Sequence, residues 1–391
     1  MPPATFSPFP KLPRTAPDVV PTIPVADCIR DVRPYVPVQS LEAIGRASDT
    51  GGHAEPLKLD WNESTIPPSP KVIEAVMRFM SGDHHVNWYP DLTCAPLREA
   101  LSHYVGVPDD HILVTNGSDD ALDLLCKTYL NPEDRVVLPY PTYTHFLVFA
   151  GARGARFDPV TYDNPFEGRI DRVISALTPW TKLVYLVNPN NPTGVQFTRD
   201  DVARLVRRAP LSLVVVDEAY FEFSGVSVAD LTMEFPNLVV TRTFSKSFGI
   251  AGLRIGYLVA RPEVIEDLRR VFNPKSVNVL GQVAATAALG DLTYHENYVR
   301  EARASREVLA DWLRRRGFDA RSTTANWVLV KVPDPAAFVH ALEARHVYIR
   351  DRSNFPQLAG WVRMSVGTAE QTGQLCDRLD DAFKELGIGR G

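Results

Sequence analysis

The apolar residues of this chain form short continuous runs that alternate with longer segments of helical periodicity. Five such runs lie at residues 112–115, 135–138, 183–187, 212–216 and 238–240, and each leads into a loop with polar residues, proline or glycine. Short continuous apolar runs are typical of strands that are buried on both faces. The alternation with helices therefore predicts an α/β fold in which a mostly parallel sheet lies between layers of helices.

A second pattern begins beyond the last of these runs. Helical periodicity dominates residues 280–316, and strand-like runs follow at residues 327–330, 347–350 and 362–366. This change predicts a smaller C-terminal α/β domain. We expect four parts in chain order: a proline-rich arm over residues 1–30, an N-terminal part of the small domain over 31–61, a large domain over 62–278 and the small C-terminal domain over 279–391.

Composition limits the classes of partner. With 391 residues the chain is long enough for more than one simple domain. The formal net charge of −5 gives no reason to expect binding to nucleic acid or to a membrane. We see no apolar stretch long enough to cross a bilayer and no signal-peptide pattern. The four cysteines lack metal-ligand spacing, so we expect reduced thiols in a cytoplasmic enzyme without a metal.

The strongest chemical signal is Lys246, which lies in a loop shortly after the run at residues 238–240. Most lysines are solvated surface charges, but this one stands between Ser245 and a run of small and apolar residues. Desolvation at the end of a buried strand favours a neutral amine, which can form a Schiff base with an aldehyde. Arg254, farther along the same loop, is suited to binding a phosphate. Together they predict pyridoxal phosphate as the cofactor.

Two further loops carry groups that this cofactor needs. Asp217 follows the run at residues 212–216, and a carboxylate there can keep a pyridinium nitrogen protonated; a turn-forming or helix-capping role is equally open. Tyr220 can donate a hydrogen bond to the phenolic oxygen of the cofactor. Residues 188–194 read Asn-Pro-Asn-Asn-Pro-Thr-Gly, a turn whose amide side chains can face a ligand or which forms only a loop.

A phosphate-binding turn is also predicted after the first run. The sequence Asn-Gly-Ser-Asp at residues 116–119 lies between that strand and a segment of helical periodicity that continues to Leu130. Backbone N–H groups and the helix dipole bind anions at such a helix N-terminus, although most turns of this composition are only turns. The aromatic residues of Pro-Tyr-Pro-Thr-Tyr at residues 139–143 can lie against a planar ring.

Taken in order, these motifs resemble those of the fold-type I pyridoxal-phosphate aminotransferases, and most closely those of the histidinol-phosphate aminotransferase branch. The resemblance covers about residues 35–386 and rests on Asn-Gly-Ser-Asp, Pro-Thr-Tyr, Asn-Asn-Pro-Thr-Gly, Asp-Glu-Ala-Tyr, Ser-Lys and Gly-Leu-Arg. It implies transfer of an amino group, in two half-reactions through a Schiff base on Lys246, between an amino acid or a histidinol-phosphate-like amine and a 2-oxo acid. It also implies a homodimer with shared active sites.

The resemblance assigns roles to individual residues. It implies that the catalytic residues are Lys246, Asp217 and Tyr220. It implies that the cofactor also contacts Ser118, Asp119, Tyr143, Asn191, Thr243, Ser245 and Arg254, and that the phosphate in the neighbouring subunit is reached by Tyr89. The residues that it places at the substrate are Arg363, Arg350, Asn191, Tyr35 and Trp88.

Two positions depart from the family pattern. Trp88 stands where relatives often carry arginine, and residues 61–65 read Trp-Asn-Glu-Ser-Thr in place of an Asn-Glu-Asn-Pro-like segment. Both lie near the substrate entrance in relatives, so an aminotransferase specialised for an aromatic or guanidino-bearing amino acid is an alternative. A decarboxylase or oxidase with the same cofactor is another. A cofactor-sensing regulator would need a DNA-binding domain, for which the short proline-rich start leaves no room.

Overall fold

The computed structural model describes residues 25–30, 32, 55–82 and 86–389. Most of the predicted arm and most of the segment 31–61 lie outside the described residues. Within them the strands are β1 (Leu57–Lys58), β2 (Ile112–Thr115), β3 (Arg135–Pro139), β4 (Arg156–Val160), β5 (Thr181–Val187), β6 (Leu213–Asp217), β7 (Leu238–Thr243), β8 (Gly256–Val259), β9 (Ala320–Ser322), β10 (Trp327–Lys331), β11 (Val347–Tyr348), β12 (Arg350–Asp351) and β13 (Trp361–Ser365).

The α-helices of the described residues alternate with these strands in the first two thirds of the chain. They are α1 (Pro70–Ser81), α2 (Ala95–Val105), α3 (Ser118–Tyr129), α4 (Thr144–Gly151), α5 (Ile170–Ser175), α6 (Arg199–Arg208), α7 (Phe221–Ser224), α8 (Pro262–Arg269), α9 (Val279–Leu289), α10 (Leu292–Arg315), α11 (Pro335–Glu343) and α12 (Ala369–Leu386). No helix in the described part of the chain combines the length and the apolar content that crossing a membrane requires.

The large sheet has seven strands in the order β2-β8-β7-β6-β5-β3-β4. The five strands from β7 to β4 run parallel, whereas β8 runs antiparallel to both of its neighbours. Alternate residues of β6 belong to different apolar clusters, with Val214 and Val216 on one face and Val215 on the other. The predicted α/β fold with a mostly parallel sheet buried between helices is therefore confirmed.

A smaller antiparallel sheet with the order β12-β13-β10-β9 lies in the C-terminal part of the chain. Separately, β1 pairs in parallel with β11, so a segment that precedes the large sheet joins the C-terminal part. The apolar cluster around this sheet contains Leu57 and Leu59 together with residues of α10 and α12. This packing is the arrangement expected if residues 31–61 and 279–391 form one small domain, a division that stays a prediction.

Two predicted elements are interrupted in the structure. The helix predicted over residues 280–316 is divided into α9 and α10, because the backbone of Asp291 leaves the helical conformation, with φ −139° and ψ 54°. The strand predicted over residues 347–350 is divided into β11 and β12, which pair with different sheets. Apolar periodicity marks burial along both segments but carries no information about the partner of each half.

The edge strand β4 is absent from the sequence prediction. It contains Pro159 and lies at one end of the large sheet, where the missing N–H of proline is tolerated. Proline within a short run argues against a strand when only the sequence is considered.

Candidate active site

The predicted site residues converge at one edge of the large sheet, where the carboxyl ends of the parallel strands meet. Val187, Asp217 and Thr241 are register partners across β5, β6 and β7. The loops that follow these strand ends carry Asn191, Tyr220 and Lys246. In open α/β sheets this edge is where ligands bind, because several loops open onto one crevice.

Lys246 lies half-buried in the loop after β7. Its ammonium donates a hydrogen bond to the backbone carbonyl of Trp61 at 2.8 Å, and it lies 5.8 Å from the ring centroid of Tyr220. The Trp61 side chain is 38% exposed and lines the same cavity as Lys246. The segment 61–65, which departs from the family pattern, is thus in direct contact with the lysine.

Asp217 is buried at the end of β6, with 3% of its surface exposed. Burial raises the pKa of its carboxyl to about 6, while the hydroxyl of Tyr185, which donates to Oδ2 at 3.0 Å, opposes that rise. The backbone N–H of Ala219 donates to Oδ1 at 3.2 Å. A buried carboxylate in this state gains stability from a cationic N–H donor, which is what a protonated pyridine nitrogen offers.

The hydroxyl of Tyr220 accepts hydrogen bonds from two amide side chains. Asn191 Nδ2 lies 3.1 Å away and Asn62 Nδ2 lies 3.2 Å away. The Tyr220 ring packs edge-on against Trp327, with centroids 4.7 Å apart and an interplanar angle of 80°. These contacts fix the hydroxyl of Tyr220 beside the side chain of Asn191. Both groups are expected to bind the phenolic oxygen of the cofactor, and that shared role requires them to be neighbours.

Arg363 connects this group to the small antiparallel sheet. Its guanidinium is buried and donates from Nη1 to Asn191 Oδ1 at 2.7 Å and from Nη2 to the carbonyl of Asp60 at 2.6 Å. Arg350 is its Cα partner across β12 and β13, and both arginines line the cavity that contains Lys246. The two cations that the sequence predicts for substrate binding are therefore neighbours.

The turn before α3 forms a close-packed cradle. Gly117 has a φ of +85°, and α3 begins at Ser118. A Cβ atom on Gly256 would lie 2.5 Å from the Ser118 nitrogen, and one on Gly117 would lie 2.5 Å from Arg254 Nη2. Only glycine therefore fits at these two positions, since any side chain would displace the N–H groups at the helix N-terminus or the guanidinium.

The cradle has the donors that a phosphate requires. Arg254 donates from Nη1 to Ser245 Oγ at 3.2 Å and lies with Nη2 3.4 Å from Asp119 Oδ2. The hydroxyl of Thr243 accepts the N–H of Ser245 at 3.1 Å. Backbone N–H groups at a helix N-terminus, a hydroxyl and a guanidinium together suit a phosphate dianion. The residues present thus fit the phosphate of pyridoxal phosphate.

Tyr143 lies at the start of α4, and its hydroxyl donates to Asp119 Oδ1 at 2.9 Å. Burial of the phenol raises the pKa of Tyr143, and the negative charge of Asp119 adds to the rise. The tyrosine is therefore a neutral hydrogen-bond donor. Its side chain lines the cavity, where its ring can lie against a planar ligand.

The cavity has a volume of about 1440 Å³. The predicted residues that line it are Asp119, Tyr143, Asn191, Tyr220, Ser245, Lys246, Arg254, Arg350 and Arg363. The cavity is also lined by residues to which the sequence predictions assign no site role, among them Asp60, Arg352 and Phe355. Glu63 and Tyr140 line it as well, and both belong to segments that the sequence predictions place near the substrate or the cofactor ring. Arg352 has a detectable signal in the sequence, because it repeats Arg350 at a spacing of two residues, directly after the end of β12.

Five predicted residues that the structure describes do not line this cavity, namely Trp88, Tyr89, Ser118, Asp217 and Thr243. Ser118, Asp217 and Thr243 belong to the helix and strand ends described above, whereas Trp88 and Tyr89 lie elsewhere. Tyr89 is 75% exposed and has Lys275 Nζ 5.0 Å from its ring centroid, and Trp88 is also exposed; neither lines the cavity of its own chain. Trp88 therefore does not contribute to the entrance within one subunit, where we expected it. Tyr35 lies outside the described residues.

Comparison with known proteins agrees with this geometry. The model of the family described as aminotransferase class I and II matches residues 54–379. The chain is 37% identical to the histidinol-phosphate aminotransferase of Symbiobacterium thermophilum over 92% of this chain and 99% of that protein. It is 35% identical to the dihydroxyacetone phosphate transaminase of Campylobacter jejuni over 85% of this chain and 91% of that protein.

A solved structure has the same fold. The histidinol-phosphate aminotransferase of Sinorhizobium meliloti, determined in complex with pyridoxal-5'-phosphate, superposes with a TM-score of 0.81. The match has 24% sequence identity and covers 93% of this chain and 98% of that chain.

Proposed function

The chain belongs to the family of class I and II aminotransferases, which use pyridoxal phosphate, and we propose that it moves an amino group between a phosphorylated amine and a 2-oxo acid. The observation that carries this proposal is the convergence of Lys246, Asp217, Tyr220 and Arg254 at one sheet edge. We propose histidinol phosphate as the amino donor. The two curated relatives described above both carry a phosphate ester in the names of their substrates.

We propose that the large domain, residues 62–278, holds the cofactor at the cradle and at the ends of β6 and β7. Its phosphate would be held by the backbone N–H groups of Ser118 and Asp119, the hydroxyls of Thr243 and Ser245, and the guanidinium of Arg254. Asp217 would hold its ring nitrogen, Asn191 and Tyr220 its phenolic oxygen, and Tyr143 one face of its ring. When bound, pyridoxal phosphate supplies an electron sink for the bonds at the substrate Cα.

Lys246 is the proposed nucleophile and base. Its Nζ lies beside the Tyr220 ring and is oriented by the Trp61 carbonyl, so it is positioned to bind the cofactor aldehyde. After the substrate displaces it, the same amine can take the proton from the substrate Cα and return it as an ammonium. Asp217 stabilises positive charge at the ring nitrogen, because it is a buried carboxylate held by Tyr185 and Ala219.

The substrate side of the cavity is cationic. Arg363 is fixed by Asn191 and by the Asp60 carbonyl, and Arg350 is its register partner. Guanidinium groups bind carboxylates and phosphates in a planar, bidentate geometry. We propose that the two arginines bind the carboxylate of an amino acid such as glutamate in one half-reaction and the phosphate of the amine in the other.

The alternative of an aromatic substrate rests on Trp61. Its ring is partly exposed in the cavity, and Lys58 Nζ lies 4.6 Å from the ring centroid, held there by Asp60 and Glu63. A tryptophan face that already interacts with an ammonium is poorly placed to accept a second cation. This contact therefore favours a neutral ring over a guanidino group as the substrate side chain.

A half-reaction screen tests the proposed function. The cofactor-loaded enzyme is mixed with one amino donor at a time, and conversion of the cofactor to its amine form is followed by the loss of its visible absorption band. We expect rapid conversion by histidinol phosphate and by glutamate, and slow conversion by phenylalanine, tyrosine and arginine. The reverse ranking would assign the chain to a specialised aminotransferase, and release of carbon dioxide would assign it to a decarboxylase.

We propose a homodimer whose active sites are shared. Ile73, Met77 and Met80 follow a helical spacing on α1 and are exposed, and Leu92 and Tyr89 are exposed in the segment after it. An apolar strip of this kind is typical of an interface. Tyr89 would then reach the site of the partner. The cytoplasmic location stays a prediction.

A further inference from the structure

The wall of the cavity that carries Arg350 and Arg363 contains a third arginine. Arg350 and Arg363 are Cα partners in the antiparallel pair β12–β13. The N–H of Arg352 donates to the carbonyl of Trp361 at 2.9 Å and so extends this pairing by one step. Because side chains alternate between the faces of a strand, Arg350 and Arg352 lie on the same face. All three arginines line the cavity that contains Lys246.

The carboxylates that line the cavity are already paired with other cations. Asp60 and Glu63 contact Lys58, and Asp119 contacts Arg254. The remaining two, Asp27 and Glu133, pair with Arg30 and Arg156. Like charges directly opposite each other in a sheet are destabilising. Three arginine side chains on one wall make that wall a favourable surface for a ligand with more than one negative charge.

The backbone of Arg352 is fixed on both sides. Its N–H binds the Trp361 carbonyl, and its own carbonyl accepts the N–H of Phe355 at 3.1 Å. Phe355 is buried and packs edge-on against Tyr140, with ring centroids 5.7 Å apart. The side chain of Arg352 is half-buried. Its guanidinium is thus attached to a rigid base, which reduces the entropy lost when it binds a ligand.

We propose that Arg352 is a specificity-determining residue that, together with Arg350, selects a phosphate dianion over a carboxylate. This inference rests on the proposed function. Arg350 and Arg363 suffice for a carboxylate, which carries one negative charge and two oxygens. A phosphate monoester carries a second charge and a third oxygen, and Arg352 supplies the matching donors. The residue therefore favours the phosphorylated amine without contributing to the glutamate half-reaction.

The test compares Arg352→Gln and Arg352→Lys with wild-type protein, all loaded with pyridoxal phosphate. The control Arg315→Gln removes an equal charge from the exposed end of α10, away from the cavity. We expect Arg352→Gln to raise KM for histidinol phosphate about 10–100-fold, the range typical of a lost charged hydrogen bond. The kcat with histidinol phosphate and the kinetics with glutamate should change less than about threefold. Arg352→Lys should recover part of the loss, because it restores the charge without the planar fork.

Binding of inorganic phosphate to the cofactor-loaded protein gives a second measurement that does not depend on turnover. Calorimetric titration should show about 10–100-fold weaker binding to Arg352→Gln than to wild type and to Arg315→Gln. The inference would be overturned if wild type, Arg352→Gln and Arg315→Gln bound phosphate with equal affinity. It would also be overturned if Arg352→Gln raised KM equally for glutamate and for histidinol phosphate. Failure of the wild-type enzyme to accept any phosphorylated amine would overturn the proposed function instead, and the titration would still decide the role of Arg352.

Discussion

Tyr185 donates its hydroxyl hydrogen to Asp217 Oδ2 at 3.0 Å, from the neighbouring parallel strand. Both side chains are buried, and the Tyr185 ring stacks on Phe146 with centroids 3.7 Å apart. The hydroxyl of Tyr185 opposes the rise in the pKa of Asp217 that burial causes, and the Thr241 side chain and the Ala219 N–H act in the same direction. The carboxylate proposed to support the cofactor thus depends on a residue that sequence analysis treated only as part of a strand.

The first prediction concerns Tyr185→Phe, which keeps the stacked ring and removes the hydroxyl. Loss of a donor to the charged form should raise the pKa of Asp217 in the cofactor-free protein above its value of about 6. We expect kcat to fall about tenfold at neutral pH, as a lost charged hydrogen bond implies. The pH profile of kcat is the measurement, and Tyr162→Phe, at a tyrosine outside the cavity lining, is the control. An unchanged profile would show that Tyr185 only packs.

The second prediction concerns Asp217→Asn and the stability of the cofactor-free protein. The folded carboxyl has a pKa of about 6, against an ordinary value of 3.8 for aspartate, so the folded state binds more protons than the unfolded state between these values. The contribution of Asp217 to the free energy of unfolding therefore falls as pH rises from about 4 to about 6 and stays low above that. The total loss is on the order of 3 kcal/mol.

Urea unfolding of wild type and Asp217→Asn across this pH range measures the difference. The asparagine variant should lack this pH-dependent loss and be the more stable cofactor-free protein at pH 7, while its transamination rate is severely reduced. Parallel curves for the two proteins from pH 4 to pH 7 would contradict the assignment of that titration to Asp217.

A third prediction assigns the covalent attachment to Lys246. Borohydride treatment of the loaded wild-type enzyme should fix the cofactor to this lysine, as peptide mapping by mass spectrometry can establish. Lys246→Ala should retain cofactor through the cradle but lose at least about 10³-fold in turnover, because nucleophile and base are both removed. Lys182→Ala, at a lysine outside the cavity lining, is the control. Fixation at another lysine would refute the assignment.

A fourth prediction ranks the two asparagines at the Tyr220 hydroxyl. Asn191 donates to Tyr220 and also accepts from Arg363, whereas Asn62 contacts Tyr220 and Ser365. Asn191→Ala should therefore disturb both cofactor and substrate, raising KM for the amino donor as well as weakening cofactor binding. Asn62→Ala should weaken cofactor binding with KM nearly unchanged. Cofactor titration and steady-state kinetics on both variants give the comparison, and equal effects on KM would contradict the ranking.

The fifth prediction concerns assembly. Met77→Glu introduces a charge into the exposed apolar strip on α1 and should dissociate the proposed dimer, because a buried unpaired carboxylate is costly at an interface. Leu211→Glu is the matched control, at a leucine that is 85% exposed outside that strip. Light scattering measures the mass of each variant. An active wild-type monomer would contradict the proposal.

Shared sites can be tested by mixing two inactive variants. Tyr89→Ala is expected to impair the partner's site, and Lys246→Ala its own. In a mixed dimer, both defects then fall on one site and the other site is intact. Unfolding and refolding the two proteins together should therefore restore part of the activity. No recovery in a dimer shown to be mixed would mean that Tyr89 does not serve the partner.

The sequence by itself determined five of the seven strands of the large sheet, β2, β3, β5, β6 and β7, and the approximate ends of those strands. Continuous apolar runs identify strands that are buried on both faces, and the polar residues that follow them must lie at the sheet edge. Lys246, Asp217 and Asn191 could be placed at one edge for this reason, since parallel strands bring their carboxyl ends together.

Only the tertiary structure decided which side chains complete the site. Asn62 contacts Tyr220 across 158 residues of sequence, and Arg363 contacts Asn191 across 172. Tyr185 contacts Asp217 from the neighbouring strand. The pairing of β12 with β13 places Arg352 near Arg350 and Arg363. Local periodicity records whether a residue is buried, because burial repeats with the helix or strand. It does not record the hydrogen-bond partner of a polar group. That partner is determined when segments distant in sequence pack together, because each buried donor or acceptor then has to form a hydrogen bond with the atom that faces it.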